Sequence, residues 1–257
     1  MEEENLKEDD VQIQKNEQNP LLVPFAIIIA GVIIAGAVVY GFGNKKLFEV
    51  VDDFAKEQNV NNANVQQNIN PSILNITPVS PKDHIRGNPN APIKIVEYVD
   101  LECPYCKRFH FVMQQIISTY ADKVAWVFRH NPIPQLHSKA FLEAVSSECA
   151  FEQGGDDIFW KYVDEIFKIT PSNNNLDLSK LEVIAKNLNL DVEKFNSCIS
   201  SGRYEQKVKS DIEDALKTGP QATPYSVVIF NGTPVESIEG AYDFNSVKAI
   251  LDSLLQR

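Results

Sequence analysis

Cys103-Pro104-Tyr105-Cys106 holds two thiols two residues apart, close enough to close a small disulfide ring. The motif stands where a β-like run, Ile93 to Val99, gives way to a helical run from Lys107 to Tyr120. A thiol at the first turn of a helix faces the positive end of the helix dipole, which stabilises the thiolate. The thiolate is the attacking species in thiol–disulfide exchange. The same spacing is half of a zinc site. No second half accompanies it, since Cys149 and Cys198 stand far apart and His84, His110, His130 and His137 form no paired ligand motif. The pattern therefore favours redox chemistry on the thiols themselves, with no metal and no cofactor. A second feature is Ala222-Thr223-Pro224-Tyr225, directly before a β-branched run. The Thr223–Pro224 bond is either cis or the trans bond of an ordinary strand-entry proline, and the residue pattern leaves both open.

The elements that must position these residues are visible in the apolar spacing. Ile93–Val99 and Val124–Phe128 read as strands, and Phe109, Val112, Met113, Ile116 and Ile117 line a helix between them. A strand–helix–strand unit of this length makes the two strands parallel. A stretch rich in helices follows. Phe141, Val145 and Cys149 repeat at helical spacing, and Gly154-Gly155 reads as the stop. Phe159 to Phe167, Leu181 to Leu188, Phe195 to Ile199 and Tyr204 to Leu216 give four more helices, with Asp191 as a cap and Gly219 as a terminator. Strands return at Tyr225–Phe230 and Pro234–Ile238 around an Asn231-Gly232 hairpin turn, and a helix over 245–255 follows. Trp126, Trp160 and Phe141 read as core, and His110 as a surface residue of its helix.

Glu97-Tyr98, then Cys103-Pro104-Tyr105-Cys106, a central helical insertion, and Gly219 with Thr223-Pro224 before a strand resemble the DsbA-like branch of the thioredoxin superfamily. His84-Ile85-Arg86-Gly87-Asn88 before the first strand is similar to the extracytoplasmic bacterial members of that family. The resemblance spans residues 84–257. It implies an α/β thioredoxin fold, βαβ then ββα around a mixed central sheet, with an all-helical insertion at about 137–218. It implies that Cys103 is the solvent-facing nucleophile and Cys106 the buried resolving thiol. Thr223 and a cis Pro224 then form the loop against the disulfide where substrate backbone adds. Glu97 matches a buried acid beneath the disulfide that moves protons, and a solvent-facing strand carboxylate is the alternative. The active-site dipeptide is Pro104-Tyr105, so no histidine stands between the cysteines, which bears on oxidising strength. From their position alone, Lys107 and Arg108 either add a modest positive field near Cys103 or are simply solvated surface charges.

The rest of the chain sets the context. It has 257 residues and a net charge of −11. Residues 1–20 hold seven acids against two lysines and read as a disordered acidic tail. Leu21 to Phe42 is an uncharged apolar run of 22 residues, long enough to cross a bilayer as a helix. A cleaved signal peptide is the competing reading, but the run is long for one and its start is acidic. Flanking lysines tie across it and leave orientation open. Residues 43–80, rich in Asn and Gln, read as a tether to a folded domain over 81–257. Four cysteines suit an oxidising compartment, where Cys149 and Cys198 are expected to form a structural disulfide rather than stay free in the core.

A single-pass membrane protein with an extracytoplasmic catalytic domain follows as the expectation. Its partners are thiol-containing secreted or surface proteins and a membrane redox partner that reoxidises it. The absence of a basic patch argues against nucleic acid. A protein-disulfide oxidoreductase that introduces disulfides leads. A reductase or isomerase of the same fold is the first rival, and a non-enzymatic metal-binding or chaperone module the second.

Overall fold

In a computed structural model the described residues are 71–219 and 222–257. The acidic tail, the apolar run 21–42 and residues 43–70 of the tether lie outside them. Among the described residues no helix is long and apolar enough to cross a membrane.

Five strands form one mixed sheet: β1 (His84–Gly87), β2 (Ile93–Val99), β3 (Val124–His130), β4 (Tyr225–Phe230) and β5 (Thr233–Glu239). Their order is β1-β3-β2-β4-β5. Only β2 and β3 run parallel, paired from Ile93↔Val124 to Val99↔His130. Helix α1 (Pro104–Tyr120) makes the crossover between them. β3 is buried along its whole length. Strands covered on both faces read as near-continuous apolar runs, which is how β2 and β3 stand out in the sequence.

The period of two along β2 splits its residues between two cores. Ile93, Ile95 and Val99 join Trp126, Phe128, Phe109 and Met113 in the larger cluster, under α1. Val96 and Tyr98 join Val127, Val227 and Ile229 on the other face. Helix α5 (Glu205–Thr218) supplies Ala215 to that second core.

The helical insertion contains α2 (Ala140–Ile169), α3 (Ser179–Asn187), α4 (Val192–Ser201) and α5, and α6 (Phe244–Leu255) closes the chain. Gly154-Gly155 interrupts the helix as its spacing suggested: Gly155, with φ of 65° and ψ of −159°, is non-helical, and two helical halves of α2 meet at a kink there. A residue without Cβ takes this conformation at little cost. A disulfide joins Cys149 on α2 to Cys198 on α4, with a Cα separation of 5.8 Å. Closing a loop of this size contributes ~3–4 kcal/mol by the chain-entropy account. Asp191 caps α4 by accepting from Lys194 N, and Asp243 caps α6 by accepting from Ser246 N. Asn231 and Gly232 both have positive φ, as a two-residue hairpin turn with primed geometry requires.

Two elements depart from the sequence reading. The packed region begins by Pro71, not at 81. A 3₁₀ turn over Pro71–Asn75 buries Ile73, and Ile76 follows it into the second core. Ser72 Oγ donates to Thr218 O at 2.9 Å and Thr77 N to Asp214 Oδ1 at 2.8 Å. Two apolar residues in a polar stretch carry no periodic signal, so the packed segment 71–80 looks like tether in the sequence. β1 is the other addition. It pairs antiparallel with β3, from His84↔Phe128 to Gly87↔Ala125, and four residues are too few to show alternation.

Candidate active site

The site is built where β2 ends and α1 begins. Cys103 is the N-cap residue of α1, in extended conformation, and Pro104 occupies the first helical position. Proline suits that position because its missing N–H would have no partner there. Cys103 therefore sits against the free N–H groups of the first turn, and Cys106 lies inside that turn. Both are free thiols. Cys106 is fully buried, whereas Cys103 retains 5 % exposure. The nucleophile expected to face solvent thus reaches it only through a narrow opening.

The two sulfurs are held in opposite protonation states. Cys103 is pulled down to about 6. A hydrogen bond from Cys106 is the largest cause, and the Cys106 and Tyr105 amides and Thr223 assist against the cost of burial. Cys106 is pushed well up, first by burial, then by the hydrogen bond and charge of Cys103 and by the charge of Glu97. A low-pKa outer thiol and a protonated inner thiol are what a nucleophile and its resolving partner require.

Thr223 and Pro224 come from the far side of the sequence to the same point. The Thr223–Pro224 bond is cis. Cys103 Sγ donates to Thr223 O at 3.3 Å. Pro224 O accepts from Gly240 N at 2.9 Å, which ties this loop to the end of β5. Tyr105 is exposed beside Cys103, with the Arg108 guanidinium 5.5 Å from its ring centre.

Glu97 is buried, and the solvent-facing alternative is set aside. It falls on the β2 face that carries Ile95 and Val99. Its carboxyl accepts from Trp126 Nε1 at 2.8 Å. Burial raises its pKa to about 8; the Trp126 bond opposes this and the Cys103 charge adds to it. At neutral pH this carboxyl holds a proton close to the redox pair.

Several residues differ from expectation. His110 is not a surface residue. It is buried against Trp126 and Phe167, and its Nε2 pairs with Asp164 Oδ1 at 2.7 Å. A helix packed on one side by the sheet and on the other by the insertion has little free face, and spacing within α1 alone could not reveal the second cover. Lys107 and Arg108 do not point their charges at Cys103. Lys107 Nζ donates to Thr170 O at 2.6 Å and Arg108 to Ala241 O at 2.9 Å. Phe141 is only partly buried, whereas Trp126 and Trp160 are core. Cys149 and Cys198 belong to the insertion and are not among the converging residues.

The sequence reading missed the acids and the histidine that brace the loop before Cys103. Asp100 Oδ1 accepts from Glu102 N, and its Oδ2 accepts from Ile133 N and pairs with His137 Nδ1 at 2.9 Å. His137 is pushed up overall: burial lowers it, but the Asp100 bond and charge and the Cys103 charge outweigh that. Glu102 reaches the insertion, where its carboxylate accepts from Asn174 N at 2.6 Å and Leu176 N at 3.4 Å. The signal for Asp100 was its place at the carboxyl end of a parallel strand, where α/β sheets gather functional groups. His137 carried none.

Known proteins resemble this chain in sequence and fold. The thioredoxin family profile matches residues 79–253. The crystal structure of Pseudomonas aeruginosa DsbA2 superposes with a TM-score of 0.58 at 29 % identity, covering 68 % of this chain and 96 % of that one. Wolbachia pipientis alpha-DsbA1 gives a TM-score of 0.61 at 28 % identity, covering 68 % and 92 %. Among curated sequences, the Na(+)/H(+) antiporter NhaA 1 of Mycolicibacterium gilvum is 34 % identical over 152 residues, which are 58 % of this chain and 24 % of the antiporter. The chain spans about a quarter of the length of the curated relatives it matches. By sequence profile, fold and the placing of its two thiols, the chain belongs to the thioredoxin family, as a DsbA-like oxidoreductase.

Proposed function

We propose that this protein is a membrane-anchored, extracytoplasmic thiol–disulfide oxidoreductase that introduces disulfides into secreted or surface proteins through Cys103 and Cys106. The observation that carries the proposal is the split between the two thiols. A stabilised Cys103 thiolate favours the reduced enzyme, which makes the disulfide form an oxidant.

In the working direction the enzyme begins as the Cys103–Cys106 disulfide. A substrate thiolate attacks Cys103 Sγ, the Cys103–Cys106 bond breaks, and Cys106 leaves with the electron pair. Glu97, protonated at neutral pH, supplies the proton that Cys106 takes up. A second substrate thiolate then attacks the substrate sulfur of the mixed disulfide. Cys103 is released as a thiolate held by the α1 terminus, and substrate leaves oxidised by two electrons. Thr223 and Pro224 present backbone to an extended substrate segment. A membrane redox partner accepts the two electrons and restores the disulfide. The apolar run over 21–42 anchors the chain, and residues beyond it hold the domain off the membrane surface.

Reductase or isomerase action is the second reading, and one observation favours it. A Cys103 value of about 6 lies nearer the ~7 of thioredoxin than the ~3.5 of DsbA. Equilibration of the Cys103–Cys106 couple with glutathione separates the two. The expected potential is above about −220 mV, and a value near −270 mV would assign the protein to reduction. Trapping tests the roles. Cys106→Ala should accumulate mixed disulfides through Cys103, and Cys103→Ala should accumulate none. Complexes formed through Cys106 in the second variant would reverse the assignment.

A further inference from the structure

His84, His130 and Glu148 are scattered over 65 positions of sequence and meet inside the fold. They come from β1, the end of β3 and the first half of α2. All three are buried. His84 Nε2 lies 2.9 Å from Glu148 Oε1 and His130 Nε2 lies 3.0 Å from the same oxygen. We propose that these two imidazole nitrogens and the Glu148 carboxylate form a binding site for one divalent transition ion of the zinc class, separate from the redox thiols.

The donor set chooses the ion. Two imidazoles and one carboxylate suit zinc, cobalt or nickel, whereas calcium and magnesium demand oxygen ligands. Size agrees as well. The three donor atoms lie within 4.8 Å of one another. Tetrahedral zinc with bonds of about 2.0–2.1 Å needs its donors roughly 3.3–3.4 Å apart, so shifts of a few tenths of an ångström suffice for the two close pairs.

The surroundings already hold the rings in place. His84 Nδ1 pairs with Asp156 Oδ1 at 2.9 Å, the carboxylate–histidine contact that orients metal-binding imidazoles. Asp156 is the residue after the Gly155 bend and its other oxygen accepts from Ile85 N, so the bend helps to bring it to β1. The His84 ring stacks on Phe159 with centroids 3.6 Å apart. One carboxylate oxygen serves both Nε2 groups, and among the described residues His130 Nδ1 has no partner. Lys207 Nζ stands 4.0 Å from Glu148 Oε1 but is bound by Asp211 at 2.6 Å. The ion enters beside the part-exposed side chains of Asp156 and Lys207. Bound there, it would clasp the outer strand β1 and the central strand β3 to the insertion, and so add stability rather than chemistry.

The test uses the full chain carrying Cys103→Ser and Cys106→Ser, so that no redox thiol can ligate. Zinc alone is added after dialysis against EDTA. One equivalent should be retained through gel filtration. The melting temperature should rise by about 5–10 °C at a free zinc level near a hundred times the dissociation constant, and EDTA should reverse the rise. Cobalt in place of zinc should give the visible absorption of a four-coordinate nitrogen–oxygen site. The imidazole ¹⁵N resonances of His84 and His130 should shift together on adding zinc, and this readout needs no change at the ligands. Glu148→Gln and His130→Gln should abolish retention in chains that stay folded. Unmoved imidazole resonances, or zinc retained equally by the folded variants, would overturn the site.

Discussion

Two buried acids on opposite sides of one sheet differ in what meets them. Glu97 faces the larger core, where among the described residues Trp126 alone donates to its carboxyl. Asp214, from α5, reaches the other face, where Arg129 Nη1 donates to it at 2.6 Å and Tyr98 Oη at 2.5 Å. Arg129 also holds Asp83 through Nε and Nη2. Burial acts on both carboxyls in the same direction. At Asp214 the Thr77, Tyr98 and Arg129 contacts outweigh burial and the acid is lowered. Among the described residues no cation answers burial at Glu97, and the acid rises to about 8. The fold thus keeps one carboxylate charged as a fastener for the Pro71–Asp83 segment. It keeps the other neutral and able to give up a proton near Cys106. A missing counter-ion, not the acid itself, separates a proton carrier from a staple.

Removing the cation should break the contrast most severely. Arg129→Met leaves Asp83 and Asp214 without their guanidinium, and breaking a buried pair from one side costs about 3–5 kcal/mol. Urea unfolding checks this, and the exchange rate of the folded fraction should change little. A loss under about 1 kcal/mol would mean that water replaces Arg129 at no great cost.

Stability against pH sharpens the contrast, because the two acids have opposite slopes. Glu97 keeps its proton in the folded state up to about 8. The unfolded chain gives that proton up near 4.3, so stability of the reduced protein falls as pH rises between these values, by on the order of 3–5 kcal/mol. Asp214 is lowered on folding, so its contribution is present above ~3.9 and is lost as pH falls through its lower folded value. Unfolding free energies from pH 3 to 9 should show the alkaline loss flatten in Glu97→Gln, with the acid loss kept. An unchanged alkaline limb would show that Glu97 does not hold its proton.

The smallest expected effect is kinetic. Gln at position 97 still accepts from Trp126 but carries no transferable proton. Exchange below pH 8 should slow roughly tenfold, under the usual range for general acid–base catalysis because the transfer is indirect. The inflection near pH 8 in the rate profile should vanish with it. Rates equal to those of the parent across that range would leave Glu97 as a buried acid without a part in turnover.

Much of this was legible in sequence because local chemistry dictated it. Pro104 after Cys103 starts a helix, the apolar run Ile93–Val99 makes a strand, and Asn231-Gly232 turns a hairpin. Each signal is complete within a few residues. Glu97 was half legible. The family resemblance offered a buried acid and a solvent-facing strand carboxylate stayed open beside it, and only packing showed that Trp126 would meet it. His110 was misread because its second cover comes from Asp164 and Phe167, more than 50 residues away. The start of the packed region was misplaced because Ile73 and Ile76 become core only once α5 lies beside them.

What the sequence by itself determined, then, is the reaction class and the elements. Two thiols at a helix start and a Thr-Pro before a strand are short-range patterns, tied to known chemistry by family resemblance. What only the tertiary structure decided is which buried group meets which partner. Asp100 with His137, Glu102 with the 173–176 loop, and His84 with Glu148 and His130 pair across tens of residues. The charge states of Asp100, His137 and Glu148 follow from burial and from partners brought in by packing. No spacing along the chain encodes either.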